Sequence, residues 1–136
     1  MMMKPALMVL LLAAMAMPAA AQTYKTPPAT KRCLPQQGMD CSGANLAGID
    51  LTGANLSGAR LQGANLQGAK LTAANLQNAD LRGANLERAS LIAADLRGAD
   101  LTGARIDGQG FARARLAGAI WTDGRRCSAL SRDICL

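Results

Sequence analysis

The chain repeats itself every five residues from Met39 onward. Two of the units are Ala44-Asn45-Leu46-Ala47-Gly48 and Ala64-Asn65-Leu66-Gln67-Gly68. A five-residue step advances an α-helix by about 500°, so successive Leu residues would point to every side of a helix. Five is also odd, so in a continuous strand each new Leu would face the opposite side of the sheet. The chain must therefore turn once in every unit.

The residue types of each unit agree with such a turn. If Leu, the next residue, Gly and the following Ala form a four-residue turn, Gly is its third residue, where a type II turn requires a positive φ. Eleven of the 14 glycines occupy this position. Aromatic residues are only 2% of the chain, so Ala and Leu must supply nearly all of the core. The inward column comprises Leu46, Leu51, Leu56, Leu61, Leu66, Leu71, Leu76, Leu81, Leu86, Leu91, Leu96, Leu101, Ile106, Phe111, Leu116 and Trp121.

These units resemble the pentapeptide-repeat family, whose signature is Ala-(Asp/Asn)-Leu-Xaa-Xaa. The resemblance implies an all-β fold, a right-handed quadrilateral β-helix with four corners and about twenty residues per coil. Residues 39–123 would then form about four coils. The ending, from Trp121 through Cys127 to Cys135, is also similar to that of secreted members, although those often have Gly where this chain has Asp133.

The first 38 residues have a different composition. Lys4 precedes an apolar run from Ala6 to Met17, and small residues around Ala21 suggest a cleavage site, which is typical of a signal peptide over residues 1–21. The apolar run is too short to span a membrane as a helix. Residues 22–38 are predicted to be an extended lead-in and residues 124–136 a C-terminal cap. We therefore expect a periplasmic or secreted protein.

Four cysteines in an exported chain suggest two disulfides. Cys41 lies in the first coil and Cys127 follows the last, so a bond between the two ends would exceed the ~7 Å limit on Cα separation. The predicted pairs are therefore Cys33 with Cys41 and Cys127 with Cys135, which would staple the ends. The alternatives are a zinc site built from all four thiols, for which the spacing is unsuitable, and a buried Cys41 thiol with Cys33 unpaired.

Candidate catalytic residues have structural explanations. Asp80 and Asp100 would stack one coil apart and resemble the carboxylate pair of a glycosidase, but the repeat itself requires Asp or Asn there, and a flat face offers no pocket. Ser90, Ser128 and Ser131 have no His to activate them, because the chain contains none. The sequence predicts no enzyme, no cofactor and no metal.

The net charge of +6 makes an anionic partner possible. Late arginines predict a surface for such a partner, formed by Arg97, Arg105, Arg113 and Arg115, although interspersed acidic residues such as Glu87 also fit an ordinary solvated surface. Thr52 and Thr72 would stack like an ice-binding array, which Ile92 interrupts. Gln109 breaks the repeat at an inward position, and we expect a local bulge there.

Three functions stay open from the sequence. The first is a non-enzymatic interaction module that binds a protein or a cell-envelope polymer. The second is a basic rod that binds nucleic acid or lipopolysaccharide, and the third is a structural spacer. The family also includes DNA gyrase inhibitors that imitate duplex DNA, but such mimicry needs an acidic surface in the cytoplasm, and a basic exported chain meets neither condition.

Overall fold

The chain winds through a regular twenty-residue register. The computed structural model describes residues 33, 37–108, 110–131 and 133–135. Single-residue parallel bridges, rather than longer strands, join residues twenty apart and form four walls. The first wall contains Asp40, Arg60, Asp80, Asp100 and Ile120; the second Asn45, Asn65, Asn85 and Arg105; the third Asp50, Lys70 and Ser90; the fourth Asn55, Asn75, Asp95 and Arg115.

The unit 64–68 satisfies all five of its backbone N–H groups. Ala64 donates to the Leu61 carbonyl across the turn at 3.1 Å, and Asn65 donates to the coil before at 2.9 Å. Leu66 and Gly68 donate to the coil after at 2.8 and 2.9 Å. The fifth N–H, of Gln67, donates to the Asn65 side-chain oxygen at 3.2 Å. Where a wall position holds Asn or Asp, its side chain thus replaces a backbone acceptor that the coil does not provide, although other residues such as Arg60, Lys70 and Ser90 also occupy the walls.

Ala and Leu side chains fill the interior, as the sequence predicts. Leu61 to Leu101 are at most 1% exposed at every Leu position, and the intervening Ala residues are similarly buried. Cys41 occupies the Leu position of the first coil and is 2% exposed. In the last coil Phe111 is buried, and its ring meets that of Trp121 edge-on with centroids 5.5 Å apart. Each buried Leu contributes roughly 1.5–3 kcal/mol.

The corners have the geometry expected for type II turns. Gly43 has a φ of 69°, and Ala44 donates to the Cys41 carbonyl at 3.0 Å across the turn. Glycine is not universal at this position, because five corners place another residue at a φ between 55° and 60°: Ala73, Asn78, Arg88, Ala93 and Arg113. These corners keep the turn despite the steric cost of a Cβ atom in the left-handed region.

Both ends carry a disulfide. Cys33 is bonded to Cys41 and Cys127 to Cys135, with Cα separations of 5.3 and 4.9 Å, and no cysteine is free. The predicted pairing is confirmed, so the zinc-site and free-thiol alternatives are wrong. The signal peptide and most of the lead-in fall within residues 1–32 and 34–36, outside the described residues, and they stay predictions.

The C-terminal segment turns back against the last coil. Gly124 donates to the Trp121 carbonyl at 2.9 Å, and Arg126 then forms an antiparallel bridge with Ile120. Gly118 donates to the Cys127 carbonyl at 3.1 Å along the same edge. The final wall edge therefore pairs with the cap instead of ending in open backbone groups. The sequence predicted a cap but not this reversal of direction.

The ladder is irregular between Ile106 and Phe111. Gln109, where a bulge was predicted, lies outside the described residues. The N–H of Leu91 donates to the carbonyl of the neighbouring Gly110 at 2.7 Å. A Cβ atom at Gly110 would overlap the carbonyl oxygen of Ala89, although the φ of Gly110 is not positive. Glycine is thus needed at this position for a close approach of two backbone segments.

Candidate binding surface on the later coils

The four predicted arginines do not lie on one face. Arg115 belongs to the fourth wall, above Asp95, and Arg97 and Arg113 lie at the two corners that border that wall. Arg105 belongs to the second wall, half a coil away and therefore on the opposite side. We name the group of Arg97, Arg113 and Arg115 the arginine wall. The separation of Arg105 could have been recognised from the sequence, because ten residues are half of a twenty-residue coil.

Most of these cations already contact a carboxylate. Arg97 donates to both oxygens of Asp95, from Nε at 2.8 Å and from Nη2 at 2.6 Å. The hydrogen bonds from Arg97 lower the pKa of Asp95, against the opposing effect of burial. Arg105 donates to Glu87 at 2.8 Å across one coil. The later coils thus present a mixed-charge surface, and exposed ion pairs of this kind contribute about 0.2–1 kcal/mol each.

Arg115 is less engaged than Arg97. Its Nη1 lies 4.0 Å from Asp95 Oδ2, the same oxygen that Arg97 contacts, and its side chain is 64% exposed. Together with Ala117, Ala129 and Ser131, these two arginines line an indentation of about 290 Å³ where the fourth wall meets the cap. Ser131 is 2% exposed at this place, and its hydroxyl lies 3.3 Å from that of Ser128.

The carboxylates considered for catalysis are held in local pairs. Asp80 accepts from Arg82 Nε and Nη2 at 2.9 and 2.7 Å and also contacts Gln62. The Arg82 hydrogen bond, followed by those from Gln62 and the backbone, lowers the pKa of Asp80 to about 2. Asp100 accepts from the Thr102 hydroxyl at 2.6 Å. A carboxylate with a pKa this low stays ionised at neutral pH and does not donate a proton as a glycosidase acid must.

The remaining candidates also have local partners. Thr52 donates to Asp50 at 2.7 Å, and Thr72 and Ser90 lie 3.1 Å apart between coils. Ile92, which interrupts the Thr column, is 43% exposed. Among the described residues, no cluster of three or more Cys, Asp or Glu could hold a metal ion. In the same part of the chain, none of the structure is a helix with the length and apolarity that crossing a bilayer requires.

Comparison with known families identifies this architecture. The family described as pentapeptide repeats matches residues 40–76 and 69–108, in 8 copies, which together cover just over half of the chain. The chain belongs to the pentapeptide-repeat family. Members of this family fold as right-handed quadrilateral β-helices. The four walls and the twenty-residue register are those of such a helix.

Solved structures of other pentapeptide repeat proteins are similar to this chain. One, from the thylakoid lumen of Arabidopsis thaliana, is 35% identical over 66% of this chain and 70% of its own, with a TM-score of 0.43. HetL of the cyanobacterium Nostoc sp. strain PCC 7120, which is involved in heterocyst differentiation regulation, is 34% identical over 66% of this chain and 54% of its own, with a TM-score of 0.37.

A third structure is QnrB1, a plasmid-mediated fluoroquinolone resistance protein. It is 20% identical over 65% of this chain and 59% of its own, with a TM-score of 0.42. This chain therefore matches little more than half the length of HetL and QnrB1. Comparison with curated protein sequences gave no match.

Proposed function

We propose that this protein is an exported, non-enzymatic interaction module that binds an anionic region of a protein or of a cell-envelope polymer. The observation that carries this proposal is the arginine wall, which gathers three cations on one wall and its two corners beside the capped end. Arg113 has no carboxylate within ion-pair distance of its side chain among the described residues, and Arg115 has only the 4.0 Å contact with Asp95. These cations can contact a partner without first breaking a close internal pair.

The cysteines support export. Both pairs are bonded, and disulfides persist in oxidising compartments such as the periplasm or the cell exterior. The composition of residues 1–21 is that of a signal peptide, as argued above. We therefore place the interaction module in the periplasm or outside the cell.

The walls favour binding over catalysis. The Asn and Asp side chains that line them accept hydrogen bonds from their own coil, as Asp50 does from the N–H of Thr52 at 3.1 Å, so they are committed to the fold. Family members are generally structural or interaction modules rather than enzymes. Gyrase inhibition by DNA mimicry is not favoured, because the net charge is +6 and mimicry of DNA requires a negative surface.

Affinity capture with cross-linking, performed on the periplasmic fraction with the oxidised mature protein, tests the proposal. The test variant carries Arg113→Glu and Arg115→Glu. The control carries Arg60→Glu and Lys70→Glu, which make the same change in net charge on the first and third walls. We expect a partner that the wild type and the control capture and the test variant loses.

Two other outcomes would decide against the proposal in different ways. If neither the wild type nor the control captures anything above background, the chain is better described as a spacer. If both variants lose the partner equally and the protein's retention on heparin weakens as salt concentration rises, the protein is a basic rod that binds anionic polymers and has no specific binding face.

A further inference from the structure

At five corners a side chain lies beside the wall residue eighteen positions later, in the next coil. We call the two positions a cross-coil pair. Gln77 donates to Asp95 at 2.9 Å, and Arg105 donates to Glu87 at 2.8 Å. Thr72 and Ser90 are 3.1 Å apart, Gln62 contacts Asp80, and Arg82 approaches Asp100 at 4.0 Å. In each of these pairs the two side chains are complementary, either as donor and acceptor or as opposite charges.

One cross-coil pair has two like charges instead. Arg97 is the corner residue and Arg115 is the wall residue eighteen positions later, so this register brings two guanidinium groups together. The Asp95 carboxylate lies within ion-pair distance of both, at 2.6 Å from Arg97 and 4.0 Å from Arg115. One carboxylate against two guanidinium groups leaves a local excess of positive charge. Because both guanidinium groups approach the same Asp95 oxygen, they repel each other, and a second anion beside them would offset that repulsion.

The space beside these two arginines is open because Ala117, the residue one coil after Arg97, has a small side chain. The same corner column contains Ser57, Gln77, Arg97 and Ala117, so its smallest side chain stands in the last coil. Ala117 and Ala129 leave the indentation of about 290 Å³ into which both arginines face, with Ser131 at its lining. This volume is larger than a carboxylate or phosphate group needs, so the group can enter while it remains attached to a larger molecule.

We propose that this indentation is a binding site for an oxyanion, either a carboxylate or a phosphate group, held between Arg97 and Arg115. Guanidinium groups present several N–H donors in a plane that matches both kinds of oxyanion. The bound anion completes the cross-coil pair that the chain leaves without a complementary side chain. The proposal rests on the proposed function, since it names the chemical group of the partner that the arginine wall receives.

The site can be tested by titrating the oxidised mature protein with inorganic phosphate and, separately, with acetate, at constant ionic strength maintained with chloride. Backbone NMR shifts report which residues respond. We expect saturable shifts at positions 97, 115, 117 and 131, and the ion with the tighter saturation tells whether phosphate or carboxylate is preferred. Shifts that grow linearly with anion concentration, or that are equal at all arginines, would overturn the proposed site.

Two variants distinguish anion binding in the indentation from a general effect of positive charge. Arg115→Glu places an acidic partner in the cross-coil pair, as Glu87 does for Arg105, and should weaken anion binding at least about tenfold. Ala117→Gln fills the indentation with the residue that the column already accepts at Gln77, and should abolish saturable binding without a change in charge. Arg60→Gln on the first wall is the control and should bind as the wild type does.

The outcomes also separate this inference from the proposed function. If Ala117→Gln loses the anion but captures the macromolecular partner at the wild-type level, the anion site is supported, and only the claim that the indentation receives the partner's oxyanion is overturned. If the anion titration behaves as expected while the wild type captures no partner, the proposed function is overturned and the anion site remains. Wild-type anion affinity in Arg115→Glu would exclude a bridging role for Arg115.

Discussion

The backbone N–H of Arg88 donates a 2.8 Å hydrogen bond to Oδ2 of Asp107. At regular corners the same N–H meets a backbone carbonyl of the next coil, as Gly83 does with Thr102 at 2.9 Å. The corner N–H of Arg113 contacts the side chain of Asp133 in the same way. Both carboxylates lie where the coil departs from its regular path. Each therefore supplies an acceptor that the irregular backbone does not present.

Removal of the Asp107 carboxylate should destabilise the fold. We expect Asp107→Ala to lower the free energy of unfolding by about 1–3 kcal/mol, because the Arg88 N–H loses its acceptor. Asp107→Asn keeps a side-chain oxygen and should recover most of that loss. Urea unfolding of the three proteins measures the difference. Equal stability of the Ala and Asn variants would show that the hydrogen bond contributes nothing.

Replacement of Gly110 should be among the most destabilising changes in the chain. Gly110→Ala forces a Cβ atom against the Ala89 carbonyl, and we expect a loss of about 2–3 kcal/mol. Gly118→Ala is the matched control: its φ is 71° with open space around it, so it should cost only about 1 kcal/mol. Thermal unfolding compares the two, and a larger loss for Gly118→Ala would contradict the close approach.

The Asp80 carboxylate should make stability depend on acid pH. Its folded-state pKa is about 2, below the usual 3.8, so its contribution is fully present above the unfolded value and is lost as pH falls toward 2. With solvent screening of the half-exposed Arg82, we expect Asp80→Asn to cost about 1 kcal/mol at pH 7 and almost nothing at pH 2.

Chemical denaturation at the two pH values measures this difference. Asp50→Asn serves as the control, because Asp50 is exposed and its lowered pKa is caused mainly by Thr52. A pH-independent cost for Asp80→Asn would contradict the ion pair as its cause.

Each of the two disulfides should protect its own end of the β-helix against local unfolding. Each closes a loop with a sequence separation of 8 residues, for which loop closure gives about 2.5 kcal/mol. The double variant Cys33→Ala, Cys41→Ala should increase amide hydrogen exchange in the first coil and leave the last coil unchanged. The variant Cys127→Ala, Cys135→Ala should do the reverse. Equal exchange at both ends in either variant would indicate that the coils unfold together.

Much of the fold follows from the five-residue period, because neither a helix nor a strand can keep Leu46, Leu51 and their successors on one side. The disulfide pairs also followed, because distance along the solenoid excludes the other pairings. The sequence could not reveal the antiparallel return at Arg126 or the role of Asp107 and Asp133 as hydrogen-bond acceptors. Both features satisfy backbone groups that lack a partner only once the coils have stacked. The spacing of Arg97 and Arg115 is present in the sequence, but the contacts between corner and wall side chains eighteen residues apart arise only in the folded coil.

The twenty-residue register has a consequence for how such a protein can change over evolutionary time. Duplication or loss of four units would lengthen or shorten the rod and return every wall to its former direction. Duplication of a single unit would keep the backbone ladder intact but rotate everything beyond it, including the cap and the arginines beside it, by a quarter turn relative to the first coil. Recombination within one family can therefore reorient a binding face in steps of a quarter turn while the Ala and Leu core stays the same.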